Sequence, residues 1–166
     1  DDGRFAARMR AVQERNSDPA ARAEELVRLF ESVHRVGRKL ATMFVSALST
    51  PALAPGLTPW FPAVDGNALV VIDTNVARVV DVLRGSRAPA TYAARSDWIT
   101  AQARRLDLRV LAPALPEFSP RVVQQAIYSY GSRSNRIARA DPCAAAPGCD
   151  RCVPTACPFV RRHEGR

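Results

Sequence analysis

All four cysteines of the chain, Cys143, Cys149, Cys152 and Cys157, fall within fifteen residues near its end, spaced C-x5-C-x2-C-x4-C. Cysteines scattered by chance would not cluster so. Four thiolates on one short stretch can close a tetrahedral S4 site, which suits zinc or an iron–sulfur cluster. Two disulfides are the alternative, but no signal-peptide pattern opens the chain, and 166 residues can bury a core without covalent staples. The segment is therefore expected to be a metal-ligand loop, with the fold built from the residues before it. Spacing alone leaves the metal open: zinc sites commonly use two close cysteine pairs, and only Cys149 and Cys152 form one here.

The preceding residues carry mostly helical signals. Asp18-Pro19 pairs an N-cap with a proline at the first helical position, and Leu26, Leu29, Phe30 and Val33 then fall on one stripe. A tight turn around His34-Arg35-Val36-Gly37 leads into a second apolar run, Leu40 to Leu48. Residues 50–67 break the pattern with Pro51, Pro55, Pro59 and Pro62, and Asp65-Gly66 signals a turn. Ala68 to Ile72 is apolar but too short to assign. Asp73 precedes a helix through Leu83 with Val76, Val79 and Val80 on one face. Ser96-Asp97 is expected to cap another helix, running to about Leu106, and Ser119-Pro120 one ending at Gly131. The expected class is all-α, a helical domain over residues 1–110 followed by a helix and cysteine loop over 111–166.

Charge narrows the partners. The formal net charge is +8 with a pI near 10.3, which points towards a polyanion such as nucleic acid. No apolar run reaches the roughly 18 residues of a membrane span. Of the 24 basic residues only Lys39 is lysine. Arginine stays charged and suits phosphate forks, whereas a lysine can lose its proton and act as a nucleophile. Arg133, Arg136 and Arg139 are either solvated surface or a phosphate-tracking strip, and their place just before the cysteines favours the strip; Trp60 and Trp98 are expected to pack rather than to stack on bases.

Three segments, in this order, resemble the endonuclease III branch of the helix-hairpin-helix DNA glycosylases. Val33-His34-Arg35-Val36-Gly37-Arg38-Lys39-Leu40-Ala41 is similar to that family's L-P-G-V-G-R-K-T-A hairpin with its catalytic lysine. Val71-Ile72-Asp73-Thr74-Asn75-Val76-Ala77-Arg78-Val79 is similar to V-D-T-H-V-x-R-V with its essential aspartate. The helix from Gln124 to Gly131 and the four cysteines resemble the C-terminal cluster loop, C-x6-C-x2-C-x5-C. His34-Arg35 replaces Pro-Gly in the hairpin, the stretch 50–67 resembles an insertion, and two cysteine intervals are one residue short. Asp65-Gly66-Asn67 echoes the D-G-N of adenine glycosylases but lacks the valine–arginine helix pattern after it, so it is read as a turn.

The resemblance implies an all-α helical bundle of the helix-hairpin-helix glycosylase type, acting on double-stranded DNA with a damaged or abasic site. It implies a 4Fe–4S cluster on Cys143, Cys149, Cys152 and Cys157, with zinc the alternative. DNA contacts fall on His34, Arg35, Val36, Gly37 and Arg38. Lys39 is the expected nucleophile and Asp73 the carboxylate that activates it and stabilises positive charge on the sugar. The amine must be neutral to attack, and Arg38 and the opening helix are the candidates that favour that form. The implied setting is a bacterial cytoplasm, at the nucleoid. The family's earlier helices have no counterpart, and the chain opens at Asp1, as a fragment would; a second chain or a preceding segment is the expected complement. Other readings of the same residues are a non-catalytic DNA-binding module and a monofunctional mismatch or adenine glycosylase.

Overall fold

The computed structural model describes residues 4–85 and 90–132. Among these residues lie six α-helices and no strand, as the all-α reading expects. They are α1 (Arg4–Arg15), α2 (Pro19–Glu31), α3 (Arg38–Ser49), α4 (Thr74–Leu83), α5 (Tyr92–Ala103) and α6 (Pro120–Gly131), with a short 3-10 turn at Leu108–Val110. No helix among the described residues is long and apolar enough to cross a membrane. The chain divides into two compact units, Asp1–Val71 with Trp98–Val123 and Ile72–Asp97 with Gln124–Arg166. The division passes through α5 and α6, and the boundary expected after residue 110 falls inside the first unit.

In the first unit α2 is the central element. Asp18 adopts an extended conformation and accepts a hydrogen bond from Ala20 N at 3.0 Å, with Pro19 opening the helix. Ala23, Leu26 and Val27 are fully buried against Val12 of α1 and Ala41 and Val45 of α3. Burial of each larger aliphatic side chain contributes about 1.5–3 kcal/mol. The Arg22 guanidinium reaches three carbonyls, Asn16 at 2.6 Å, Ala63 at 2.9 Å and Gln13 at 3.2 Å, and so ties the α1–α2 turn to the proline-rich stretch.

That stretch is part of the core. Val64 and Leu69 are buried with the α2 and α3 residues, and Trp60 packs against them, as expected of a packing tryptophan. Asp65 N donates to Pro19 O and Gly66 N to Ser49 O, both at 3.0 Å. A Cβ on Gly66 would lie 2.4 Å from Ser49 Oγ and 2.6 Å from Thr50 Oγ1, so only glycine fits between the turn and the end of α3. The Asp65 carboxylate accepts from Asn67 N and Nδ2, each at 2.8 Å, which makes Asp65-Gly66-Asn67 the turn its composition predicts. Arg121, nearly buried at the start of α6, donates from its backbone N to Asn67 O and from Nε to Ser46 Oγ, both at 3.0 Å. No sequence signal marked this arginine.

In the second unit Asp73 caps α4, and Val76, Val79 and Val80 form its buried face. Arg95 of α5 grips Asp81 of α4 with two parallel hydrogen bonds, 3.0 and 2.6 Å. The end of α6 sits close on α4: a Cβ on Gly131 would fall 2.9 Å from Val79 Cγ2 and 3.2 Å from Asn75 O. Arg78 Nη2 donates to the Gly131 carbonyl at 2.7 Å. The helix expected from Ser96-Asp97 to Leu106 begins earlier and ends earlier, at Tyr92 and Ala103. Thr91 performs the capping instead, accepting from Ala94 N at 3.1 Å, and Ser96 and Asp97 lie inside the helix.

Candidate functional site

The hairpin is built by two helix ends. Ser32 closes α2, its hydroxyl donating to Leu29 O at 2.7 Å, and Val33 N donates to Phe30 O. Val36 N then bonds Val33 O at 3.0 Å, closing a turn through His34 and Arg35. Arg35 takes a φ of +65°, the left-handed conformation that a side chain makes costly by roughly 1–2 kcal/mol. Gly37 caps α3 in an extended conformation and offers the first-turn amides no side-chain acceptor. Space beyond its α-carbon is open. Uncapped amides at a helix start favour an anion there, phosphate included.

Lys39 lies in that first turn of α3 and is exposed, as are His34 and Arg35, while Val36 is half-buried against the α2 core. Arg38 differs from expectation. Its guanidinium donates to Glu24 at 2.7 Å and to Glu31 at 3.3 Å, both on α2. Partial burial works to lower its pKa, but the hydrogen bonds and charges of Glu24 and Glu31 outweigh this and raise it. Its charge is thus compensated within the fold. The two glutamates were not legible as its partners because they lie 14 and 7 residues away.

Asp73 belongs to the second unit, Lys39 to the first. The aspartate is half-buried and extended, with Oδ1 accepting from Val76 N at 2.8 Å. Its second oxygen, Oδ2, makes no hydrogen bond among the described residues. Capping thus fixes the carboxylate's orientation while one oxygen remains for other work.

Cys143, Cys149, Cys152 and Cys157 lie outside the described residues, as do Arg133, Arg136 and Arg139. Among the described residues no group of three His, Cys, Asp or Glu could hold a metal ion. No protein-family model, curated protein or solved structure matches this chain.

Proposed function

We propose that the chain is a DNA base-excision glycosylase with β-elimination lyase activity, directed at oxidised pyrimidines and abasic sites. The observation that carries this reading is the setting of the only lysine. Lys39 stands exposed in the first turn of α3, immediately after a turn whose Arg35 holds a left-handed conformation. The uncapped amides after Gly37 and the side chains of His34 and Arg35 support a phosphate contact there.

In this reading the target nucleotide leaves the stack, and its C1′ meets the Lys39 amine. Nζ forms a bond to C1′ as the bond to the base breaks; the base departs with the bonding electrons and takes up a proton. Opening of the sugar ring gives a Schiff base, and removal of a C2′ proton then expels the 3′ phosphate. The Oδ2 side of Asp73 stabilises positive charge on the sugar and receives the amine proton. Four thiols with no histidine between Cys143 and Cys157 form a donor set that suits a 4Fe–4S cluster, zinc being the alternative. Such a group, when bound, supplies a fixed shape to the segment after α6.

The engagement of Arg38 with Glu24 and Glu31 favours a second reading, a helix-hairpin-helix DNA-binding module without catalysis, because it withdraws the cation expected beside the amine. A monofunctional mismatch or adenine glycosylase fits less well, since it needs no lysine here. Borohydride trapping separates the readings. Duplex carrying thymine glycol or an abasic site should give a covalent adduct with the protein and none with Lys39→Ala. Salt-dependent duplex binding without any adduct would leave the binding module. The purified protein should also be brown, absorbing near about 400 nm, as iron–sulfur ligation requires; a colourless protein with stoichiometric zinc would replace the cluster assignment.

A further inference from the structure

The outer face of α3 is apolar where a water-facing helix would carry charge. Leu40, Met43 and Phe44 are 53%, 42% and 47% exposed and share one helical stripe with Ala47. The stripe continues beyond α3, because the Phe44 ring meets Phe30 of α2 edge-on at 4.8 Å. Phe30 and Val33 are in turn walls of a cavity of about 270 Å³. That is too small for a drug-sized molecule, whose pockets start at about 300 Å³, and suits one large apolar side chain.

The border of this strip is cationic. Arg4 and Arg8, one turn apart on α1, line the same cavity. Arg8 makes no ion pair among the described residues, whereas the acids of α2 are already used. Glu25 pairs with Arg15, and Glu24 and Glu31 pair with Arg38. An apolar strip with a pocket lined by two arginines is complementary to a helix with apolar residues at i, i+3, i+4 and i+7 flanked by carboxylates. A nucleic-acid backbone would satisfy the cations but leave the aliphatic stripe in water. We propose that the strip from Leu40 and Phe44 to the Phe30–Val33 cavity docks an acidic amphipathic helix of another polypeptide. This goes beyond the glycosylase reading and stands whether or not Lys39 is a nucleophile.

The test uses the full chain and a fluorescent synthetic peptide of about 16 residues, with Leu and Phe on one helical stripe and Glu beside it. A matched peptide carries Lys in place of Glu. The acidic peptide should bind saturably and at least about tenfold more tightly than its lysine counterpart. Leu40→Glu and Arg8→Glu should each weaken it by about tenfold or more with unchanged thermal melting, and Arg8→Glu should gain affinity for the lysine peptide. Absence of saturable binding, equal binding of both peptides, or indifference to both substitutions would overturn the proposal. So would a single-stranded oligonucleotide whose binding depends on Leu40 as well as on Arg8, which would assign the strip to nucleic acid.

Discussion

Asp65-Gly66-Asn67 and Asp73-Thr74-Asn75 start from the same chemistry, a short carboxylate reaching forward to backbone N–H groups, and the chain uses them for different ends. At Asp65 one oxygen accepts twice from Asn67, and the turn is wedged by Gly66 against Ser49 and Thr50. No helix succeeds it. At Asp73 the single bond to Val76 N starts α4, whose valine face is buried, and Oδ2 stays without a partner among the described residues. The residues after each aspartate decide its role: Ala68 to Ile72 has no helical stripe, while Val76, Val79 and Val80 form one. Each carboxylate uses Oδ1 alone, so what separates them is their setting: Asp65 closes a turn wedged by Gly66, whereas Asp73 opens a helix, and on the proposed reading its free oxygen serves the chemistry.

Substitutions can break this contrast. The largest effect is expected from Asp73→Asn, which keeps an oxygen to cap α4 but removes the charge. Single-turnover excision should fall by about 10²–10³-fold with urea midpoint nearly unchanged. Asp65→Asn should leave excision per folded molecule alone; equal losses at both positions would remove the distinction. Next comes Gly66→Ala, whose methyl has no room beside the Ser49 and Thr50 hydroxyls, with an expected loss of about 2 kcal/mol in urea unfolding. Stability unchanged by that substitution would mean the turn is not wedged.

The smallest effect sharpens the picture of α4 itself. The hydrogen bonds from Arg95 hold the Asp81 carboxyl below its ordinary range, against the opposing pull of burial. The folded carboxyl therefore binds its proton later than the unfolded one as pH falls. Its contribution to stability is complete above the ordinary carboxylate pKa and disappears as pH falls through the depressed folded value. Acid unfolding curves of Arg95→Ala should be flatter in that window, and curves that superimpose on the wild type would show that the pair adds nothing.

Much of the scaffold was legible because its signals are local. Asp18-Pro19 and Asp73 each cap a helix through bonds spanning two or three residues, and Ser119 accepts from Val122 N at 3.2 Å as a helix start should. The start of α5 was missed because Thr91 and Ser96 offer the same capping chemistry, and spacing could not choose between them. Arg38 and Arg121 were misjudged or overlooked for a different reason: their partners are set by tertiary packing. Arg121 meets Ser46 across 75 positions of chain. Within the candidate site, the place of Lys39 at the opening of a helix and of Asp73 just before one could be read from sequence, whereas the compensation of Arg38 and the apolar outer face beside Lys39 could not.

Because Lys39 is the one side-chain primary amine in the chain, the most direct measurement is to locate the trapped nucleotide. Borohydride-reduced adduct on abasic-site duplex should be digested and mapped by mass spectrometry. The account predicts the sugar remnant on Lys39. Its presence on the N-terminal amine instead, or the absence of any adduct from protein that binds the duplex, would contradict it.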